Sequence, residues 1–237
     1  MNHERMQRVV SFNIRHAKGL DGRVALGRIA AVLREIEPDV IGLQEVDQGW
    51  ARSGSIDQAA WLGETLTMNQ VMIPAFSKAR AHYGLAVLSR YPICACDSWP
   101  LPSQGEPRVL ARVLIDLGPV KLTVFNTHLG LDHTERLSHI ERIILPKLPQ
   151  RNPGILTGDF NALPASLELA RFRTRLAESS LTDGCLTYPA GNPDERIDYI
   201  LHTSGIQLDS IQAVSTDASD HCPLVADLRI WLPNQTC

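Results

Sequence analysis

Short apolar runs that break off into a polar residue recur along this chain. Val9-Val10-Ser11-Phe12-Asn13-Ile14 reads as a first strand, with Asn13 near its end. From Arg23 to Ile36 the period changes. Val24, Ile29, Val32, Leu33 and Ile36 recur at helical spacing, and Pro38, which cannot continue a helix, forces a stop. Asp39 to Val46 is a run of the kind buried on both faces, ending in Gln44-Glu45. Ile56, Ala59, Ala60, Leu62 and Leu66 then restore helical spacing between Ile56 and Met68.

Strand pairs follow. Gly84 to Ser89 and Pro92 to Cys96 are joined by the turn Ser89-Arg90-Tyr91-Pro92, and Val109 to Leu117 and Val120 to His128 flank Gly118-Pro119 as a hairpin. Thr134 to Leu148 is helix-like, with Thr134 as the expected cap and Leu137, Ile140, Ile144 and Leu148 as the apolar stripe. A further strand from Ile155, a helix from Ala165 to Ala177 and a Gly/Pro-rich loop from Asp183 to Pro193 come next. Strands at Arg196 to Leu201, Ile206 to Val214 and Ser219 to Leu228 close the chain. Strand pairs interrupted by single helices predict an α/β (α+β) architecture, with two mixed or antiparallel sheets stacked face to face and helices outside. No linker divides the chain, so its 237 residues read as one domain, 1–237.

The stretch Ile155-Leu156-Thr157-Gly158-Asp159-Phe160-Asn161-Ala162-Leu163 concentrates the candidate chemistry. Side chains of an extended backbone alternate, so Asp159 and Asn161 share one side while Phe160 takes the other. A carboxylate that accepts a proton beside an amide that orients an oxygen suits a water nucleophile next to a phosphoryl or carbonyl group. The same residues also suit an Asx turn, in which both side chains bond only the local backbone.

Composition narrows the partners. Hydrophobic residues at 44% and charged residues at 21% fit an ordinary globular chain, and no window nears the roughly 18 apolar residues of a membrane span. A formal net charge of −3 supplies no basic field, so non-specific nucleic-acid binding is disfavoured. Met1 to Arg8 is polar and leads into a short apolar run that lacks the core of a signal peptide, so a cytoplasmic location is expected. The odd set Cys94, Cys96, Cys185, Cys222 and Cys237 is expected to be reduced and mostly buried, and Cys94-Ala95-Cys96 has no second cluster to complete a zinc site.

Asn13, Glu45, His128, Asp159 with Asn161, Asp198, and Asp220 with His221 all lie at or near strand ends. One such residue is ordinarily a cap or a solvated rim residue, but strands of two stacked sheets can direct several into one cleft. The ordered set SFNI, LQEV, YGLAVLSRYPI, FNTHL, LTGDFNA, RIDYIL and SDHCPLVADL resembles the endonuclease/exonuclease/phosphatase family from Val9 to Leu228. That resemblance implies a four-layer α-β-β-α sandwich and a divalent cation, Mg2+ with Mn2+ as a substitute, at the mouth between the sheets. It implies Glu45 as metal-ligand carboxylate, Asn13 as its support, and Asp220 as a residue that approaches this or a second cation. It further implies Asp159 as the group that orients or deprotonates water, Asn161 and His128 as contacts of the phosphoryl group, and His221 as catalytic histidine oriented by Asp198.

A metal-dependent phosphoester hydrolase is therefore expected, acting as a phosphodiesterase on a lipid head group or small phosphoester. A nuclease on DNA or RNA, and a non-catalytic phosphate-ligand binding module, are the alternatives. The expected protein is a monomer that acts on a phosphoester, with transient contact to a membrane surface as a further partner. Arg108 is a candidate contact for substrate phosphate, and Arg52 and Ser53 sit in a loop expected to overhang the cleft. Arg112 is expected to be exposed on an edge strand. His16, His82, His133, His139 and His202 are expected at the surface, and Trp50, Trp61 and Trp99 in core or loop packing.

Overall fold

The computed structural model describes residues 4–149, 153–178 and 185–231. Strand β1 (Glu4–Asn13) runs through helix α1 (Leu26–Ile36) into the parallel strand β2 (Val40–Gln48). Helix α2 (Gln58–Leu66), β3 (Asn69–Lys78) and β4 (Ala81–Ser89) follow, with β4 antiparallel to both β2 and β3. The chain then builds a second sheet from β5 (Ile93–Leu101), β6 (Arg108–Asp116) and β7 (Lys121–His128). From β7 it passes through α3 (His133–His139), a π-helical turn (Ile140–Ile144) and α4 (Leu145–Lys147) into the parallel strand β8 (Gly154–Asp159). Helix α5 (Leu167–Phe172), β9 (Ala177–Glu178) and β10 (Asp198–His202) complete that sheet. Finally β11 (Ile206–Ala213) and β12 (Leu224–Trp231) return to the first.

The sheets are ordered β11-β12-β1-β2-β4-β3 and β5-β6-β7-β8-β10-β9, so one plan is used twice. In each, a central parallel pair joined by a helical crossover is flanked by antiparallel strands. The last register pairs of the two parallel ladders are Asn13 with Gln44 and His128 with Asp159. Strands that end polar thus come in two matched pairs.

Alternation along the strands decides the layers. Val9, Val40, Val124 and Ile155 pack between the sheets, whereas their neighbours Val10, Ile41, Phe125 and Leu156 face the helices. Ile29, Leu33 and Leu62 cover the first sheet, and Ile140, Ile144, Leu169 and Phe172 the second. The expected four-layer sandwich is what forms. Phe160 stacks on Tyr199 with ring centroids 5.1 Å apart and meets Phe172 at 4.9 Å, so the residue after Asp159 anchors that strand end in the outer core. Burial of a side chain of this size is worth about 1.5–3 kcal/mol.

Below the polar strand ends the intersheet core is itself polar. Gln44 donates to Asn126 Oδ1 (2.7 Å), Thr157 donates to the same oxygen (3.2 Å), and Asn126 Nδ2 donates to the carbonyls of Leu43 (2.9 Å) and Ala86 (3.2 Å). Gly42 permits this approach, because a Cβ there would collide with the Thr157 hydroxyl. These side-chain bonds fix one sheet against the other directly under the site.

Several local expectations change. Helix α3 is capped by Asp132, whose side chain accepts from the Glu135 N–H, and not by Thr134. The helix expected over Ala165 to Ala177 shortens to Leu167–Phe172, capped by Ser166. Strand β3 had no counterpart in the apolar pattern because Pro74 interrupts it; the proline is tolerated at the sheet edge, where the pairing slips between Pro74 and Phe76. Cys94 and Cys96 are exposed, whereas Cys185 and Cys222 are buried, and Cys237 lies outside the described residues, as do Asp183 and Gly184. His139 and His202 are buried, since the Nε2 of His139 finds the Pro102 carbonyl (2.6 Å) and the Nδ1 of His202 that of Thr203 (3.0 Å). No helix among the described residues is long and apolar enough to cross a membrane.

Candidate active site

At the end of β1, Asn13 donates through Nδ2 to Glu45 Oε1 (3.1 Å) and to Asp159 Oδ2 (3.0 Å), while its Oδ1 accepts from the Arg15 N–H (3.1 Å). One amide therefore holds a carboxylate from each sheet. Glu45 reaches this position through a bulge: the β2–β4 register slips between Leu43 and Val46, and Glu45 takes a left-handed φ of 56°. Such a backbone costs on the order of 1–3 kcal/mol for a residue with a Cβ. In return Gln44 turns down between the sheets and Glu45 turns out toward the cleft.

Asp159 is the meeting point. Its Oδ1 accepts from the Asn161 N–H (3.0 Å), which is the Asx turn. Its Oδ2 faces Asn13, His128 Nε2 at 3.4 Å and His221 Nε2 at 3.7 Å. The local turn and the contacts with Asn13, His128 and His221 are thus two uses of one carboxylate. Asn161, itself left-handed at φ 48°, donates through Nδ2 to the Leu129 carbonyl (2.9 Å), and the same nitrogen lies 3.2 Å from His128 Nε2.

The two imidazoles have opposite partners. His221 Nδ1 lies 2.9 Å from the fully buried carboxylate of Asp198, and the Tyr188 ring packs on the imidazole at 4.9 Å. Burial alone would lower the His221 pKa, but the charge and hydrogen bond of Asp198, with Asp159 and Asp220 beyond, raise it to about 10. His128 Nδ1 instead faces Arg108 Nη1 at 3.0 Å. Burial, reinforced by the Arg108 charge and opposed by Asp159, depresses the His128 pKa to about 3. Glu45 is pushed up by burial and by Asp159, Glu106 and Asp220, against the lowering influence of the Asn13 amide.

Glu45, His128, Asp159, Asn161 and His221 line a cleft of about 510 Å³, together with Arg108, Glu195 and Asp220 and with Leu131, Leu163, Tyr188 and Ile197. Asp220 pairs with Arg15 at 3.2 Å. Leu131, Tyr188 and Glu195 come from loops whose sequences carry no periodic signal, so pattern reading missed them. Arg52 and Ser53 do not line the cleft. Arg52 forms a two-pronged pair with the buried Asp47 (2.8 and 2.7 Å) and Ser53 donates to the same carboxylate (2.9 Å), which closes the loop after β2. Arg112 lies on the interior strand β6, where it reaches across to Asp97 on the edge strand β5 (2.6 Å).

Among the described residues, Asp159, Asp198 and His221 offer ligand atoms within 4.8 Å of one another. Asp198 Oδ2 is already taken by His221 Nδ1 at 2.9 Å. Glu45, held by the Asn13 amide with Asp159 and Asp220 near, fits a hard divalent cation better. Burial first, and then the neighbouring carboxylates, raise the Glu45 pKa, and a bound cation would relieve the part that comes from repulsion.

The sequence model described as the endonuclease/exonuclease/phosphatase family matches residues 10–221. The chain belongs to that family. Solved structures of endonuclease/exonuclease/phosphatase proteins superpose over almost the whole fold. One from Beutenbergia cavernae is 26% identical, with a TM-score of 0.79 over 95% of this chain and 72% of its own. One from Bacteroides thetaiotaomicron is 19% identical, with a TM-score of 0.81 over 96% and 99%. A mannosyl-6-phosphatase from Bacteroides thetaiotaomicron is 21% identical, with a TM-score of 0.74 over 94% and 99%. Members of the endonuclease/exonuclease/phosphatase family are phosphoesterases and nucleases that generally use divalent metals.

Proposed function

We propose that this chain is a divalent-cation-dependent phosphoester hydrolase, with a phosphodiester of a lipid head group or small molecule as substrate. The observation that carries the reading is the convergence on Asp159, whose Oδ2 lies 3.0 Å from Asn13, 3.4 Å from His128 and 3.7 Å from His221. A carboxylate so placed accepts the proton of an attacking water and holds its oxygen in line with phosphorus. Asn161 Nδ2 and His128 Nε2, 3.2 Å apart, converge on the position of a non-bridging phosphoryl oxygen. His221, charged and oriented by Asp198, balances negative charge at the reacting phosphoryl group. Glu45, supported by the Asn13 amide and with Asp220 near, would hold Mg2+ or Mn2+, and the ion when bound would polarise the phosphoryl group.

The walls of the cleft favour a small or lipid phosphoester over a polynucleotide. Glu45, Asp159, Asp220 and Glu195 line it against Arg108 and the imidazoles of His128 and His221, whereas a nucleic-acid groove needs several positive contacts along the backbone. Leu131, 80% exposed, and Leu163, 50% exposed, offer an apolar substituent a surface. The likeness to a mannosyl-6-phosphatase supports a second reading, in which the substrate is a phosphomonoester.

Hydrolysis of bis(p-nitrophenyl) phosphate and of p-nitrophenyl phosphate, with Mg2+, Mn2+ or chelator, tests this in wild type and Asp159→Asn. Cation-dependent turnover of the diester that the variant loses is the expected result. Preference for the monoester moves the assignment to a phosphatase, and absence of turnover on both, with no Mg2+ binding by calorimetry, refutes the hydrolase.

A further inference from the structure

We propose that Tyr188 and Glu195 form a subsite for an ammonium group, so that the preferred phosphodiester is zwitterionic, with its cationic end seated between the ring and the carboxylate. The inference rests on the phosphoester reading above and names the chemical class of that substrate. Tyr188 and Glu195 face each other as an isolated antiparallel bridge. They exchange both main-chain hydrogen bonds, the Glu195 N–H donating to the Tyr188 carbonyl at 2.9 Å and the Tyr188 N–H to the Glu195 carbonyl at 3.1 Å. Directly opposed residues of an antiparallel pair send their side chains to the same face, with Cβ atoms about 4.5–5.5 Å apart. Both residues line the cleft, whereas the neighbouring Asp194 does not. The loop is therefore built to present a ring and a carboxylate together.

Its lack of a partner singles out Glu195. Glu45 accepts from Asn13, Asp159 accepts from Asn13 and Asn161, and Asp220 pairs with Arg15. Glu195, exposed, is the lining carboxylate with no side-chain hydrogen bond or ion pair among the described residues. A free carboxylate in a cleft that takes an anionic phosphoryl group opposes binding, unless the same molecule also brings a positive charge. Arg108 does not supply that charge, because its Nη1 is held by Glu106 and faces His128. An ammonium group meets both conditions. The carboxylate balances its charge, and the face of a tyrosine ring attracts a cation within about 6 Å of its centre. The Tyr188 ring packs at 4.9 Å on His221, whose own charge is met by Asp198, so the subsite lies beside the reacting group.

Calorimetric titration of the full chain with Mg2+ compares phosphocholine and phosphoethanolamine with neohexyl phosphate, which has the shape of phosphocholine with carbon in place of nitrogen. The ammonium compounds should bind wild type about tenfold more tightly. Glu195→Gln should lose that preference and Glu195→Lys should reverse it; Glu195 is exposed, so both variants should fold. In steady-state assays Glu195→Gln should raise KM for p-nitrophenyl phosphorylcholine and lower it for bis(p-nitrophenyl) phosphate, opposite shifts that a merely structural role would not produce. Equal affinities of the three ligands in wild type overturn the proposal. So does a preference that survives in Glu195→Gln, and so does loss of bound Mg2+ in that variant, which would make Glu195 a metal ligand. An intact ammonium preference in a protein that hydrolyses neither ester would refute the hydrolase reading and leave the subsite standing.

Discussion

Asp198 Oδ2 lies 2.9 Å from His221 Nδ1, and neither residue depends on solvent for that bond: Asp198 is fully buried and His221 is 5% exposed. The pair joins two distant segments, since Asp198 opens β10 in the second sheet and His221 precedes β12 in the first. Proximity across the sheets is therefore achieved by the fold. The carboxylate fixes which nitrogen of His221 faces it and leaves Nε2 directed toward Asp159 at 3.7 Å.

Asp198→Asn should lower kcat on the diester by about 10²–10⁴-fold, the range typical of general acid–base groups, with KM changed much less. The amide preserves shape but removes the charge that raises the His221 pKa, so the alkaline limb of the activity profile should move to lower pH. Steady-state kinetics across pH checks both effects. Unchanged kcat would exclude the dyad from the reaction.

Stability should follow the two histidines in opposite pH windows. The folded pKa of His221, about 10, exceeds the usual 6.5, so its stabilising contribution is complete below 6.5 and is lost as pH rises through about 10. The folded pKa of His128, about 3, lies below 6.5, so burial of the neutral ring favours the fold above 6.5 and that contribution disappears as pH falls toward about 3. Urea midpoints measured across pH in chelator should therefore fall on both sides of neutrality. His128→Gln should flatten the acid side and His221→Gln the alkaline side.

Sequence pattern made the central strands legible, and with them the placement of Asn13, Glu45 and Asp159, because buried strands write continuous apolar runs and these runs stop at polar residues. It did not reveal β3, whose proline and polar residues suit an edge strand but break the apolar run. Nor did it separate Arg52 from Arg108. Both are arginines near a strand end, and only the fold places Arg52 on the buried carboxylate of Asp47 and Arg108 on His128. Leu131, Tyr188 and Glu195 were unreadable for another reason: loops acquire their surroundings from tertiary packing and carry no period of their own.

Cation binding should stabilise the protein through Glu45. A ligand that binds only the folded state at 100 times its Kd adds about 2.7 kcal/mol, so Tm should rise with Mg2+ and fall back on chelation. Glu45→Gln keeps an acceptor oxygen near Asn13 but removes the charge, and should abolish the Mg2+-dependent rise. Relief of the repulsion from Asp159, Glu106 and Asp220 should leave the chelator-treated variant at least as stable as wild type. Calorimetric titration and thermal scans check this; equal Mg2+ affinity in both proteins would move the ion away from Glu45.

Arg136 and Glu168 should matter more to the fold than an exposed pair of the same charges. Glu168 is fully buried and accepts from Arg136 Nε at 2.6 Å, and Arg136 Nη1 also donates to the carbonyls of Gly130 (3.2 Å) and Leu131 (2.7 Å). The pair thus ties α3 to α5 and holds the loop that carries Leu131 to the cleft. Removing the guanidinium would leave the buried carboxylate with His133 Nδ1, at 2.9 Å, as its side-chain partner, at a cost of up to about 3–5 kcal/mol. Arg112→Ala at the half-exposed Asp97 pair should change stability by no more than about 1 kcal/mol. Denaturant unfolding of Arg136→Ala and Arg112→Ala compares them, and equal midpoints would show that Glu168 finds other compensation. Because Arg136 also fixes the Leu131 carbonyl, Arg136→Ala at a temperature where it remains folded should raise KM for the diester while Arg112→Ala leaves KM unchanged.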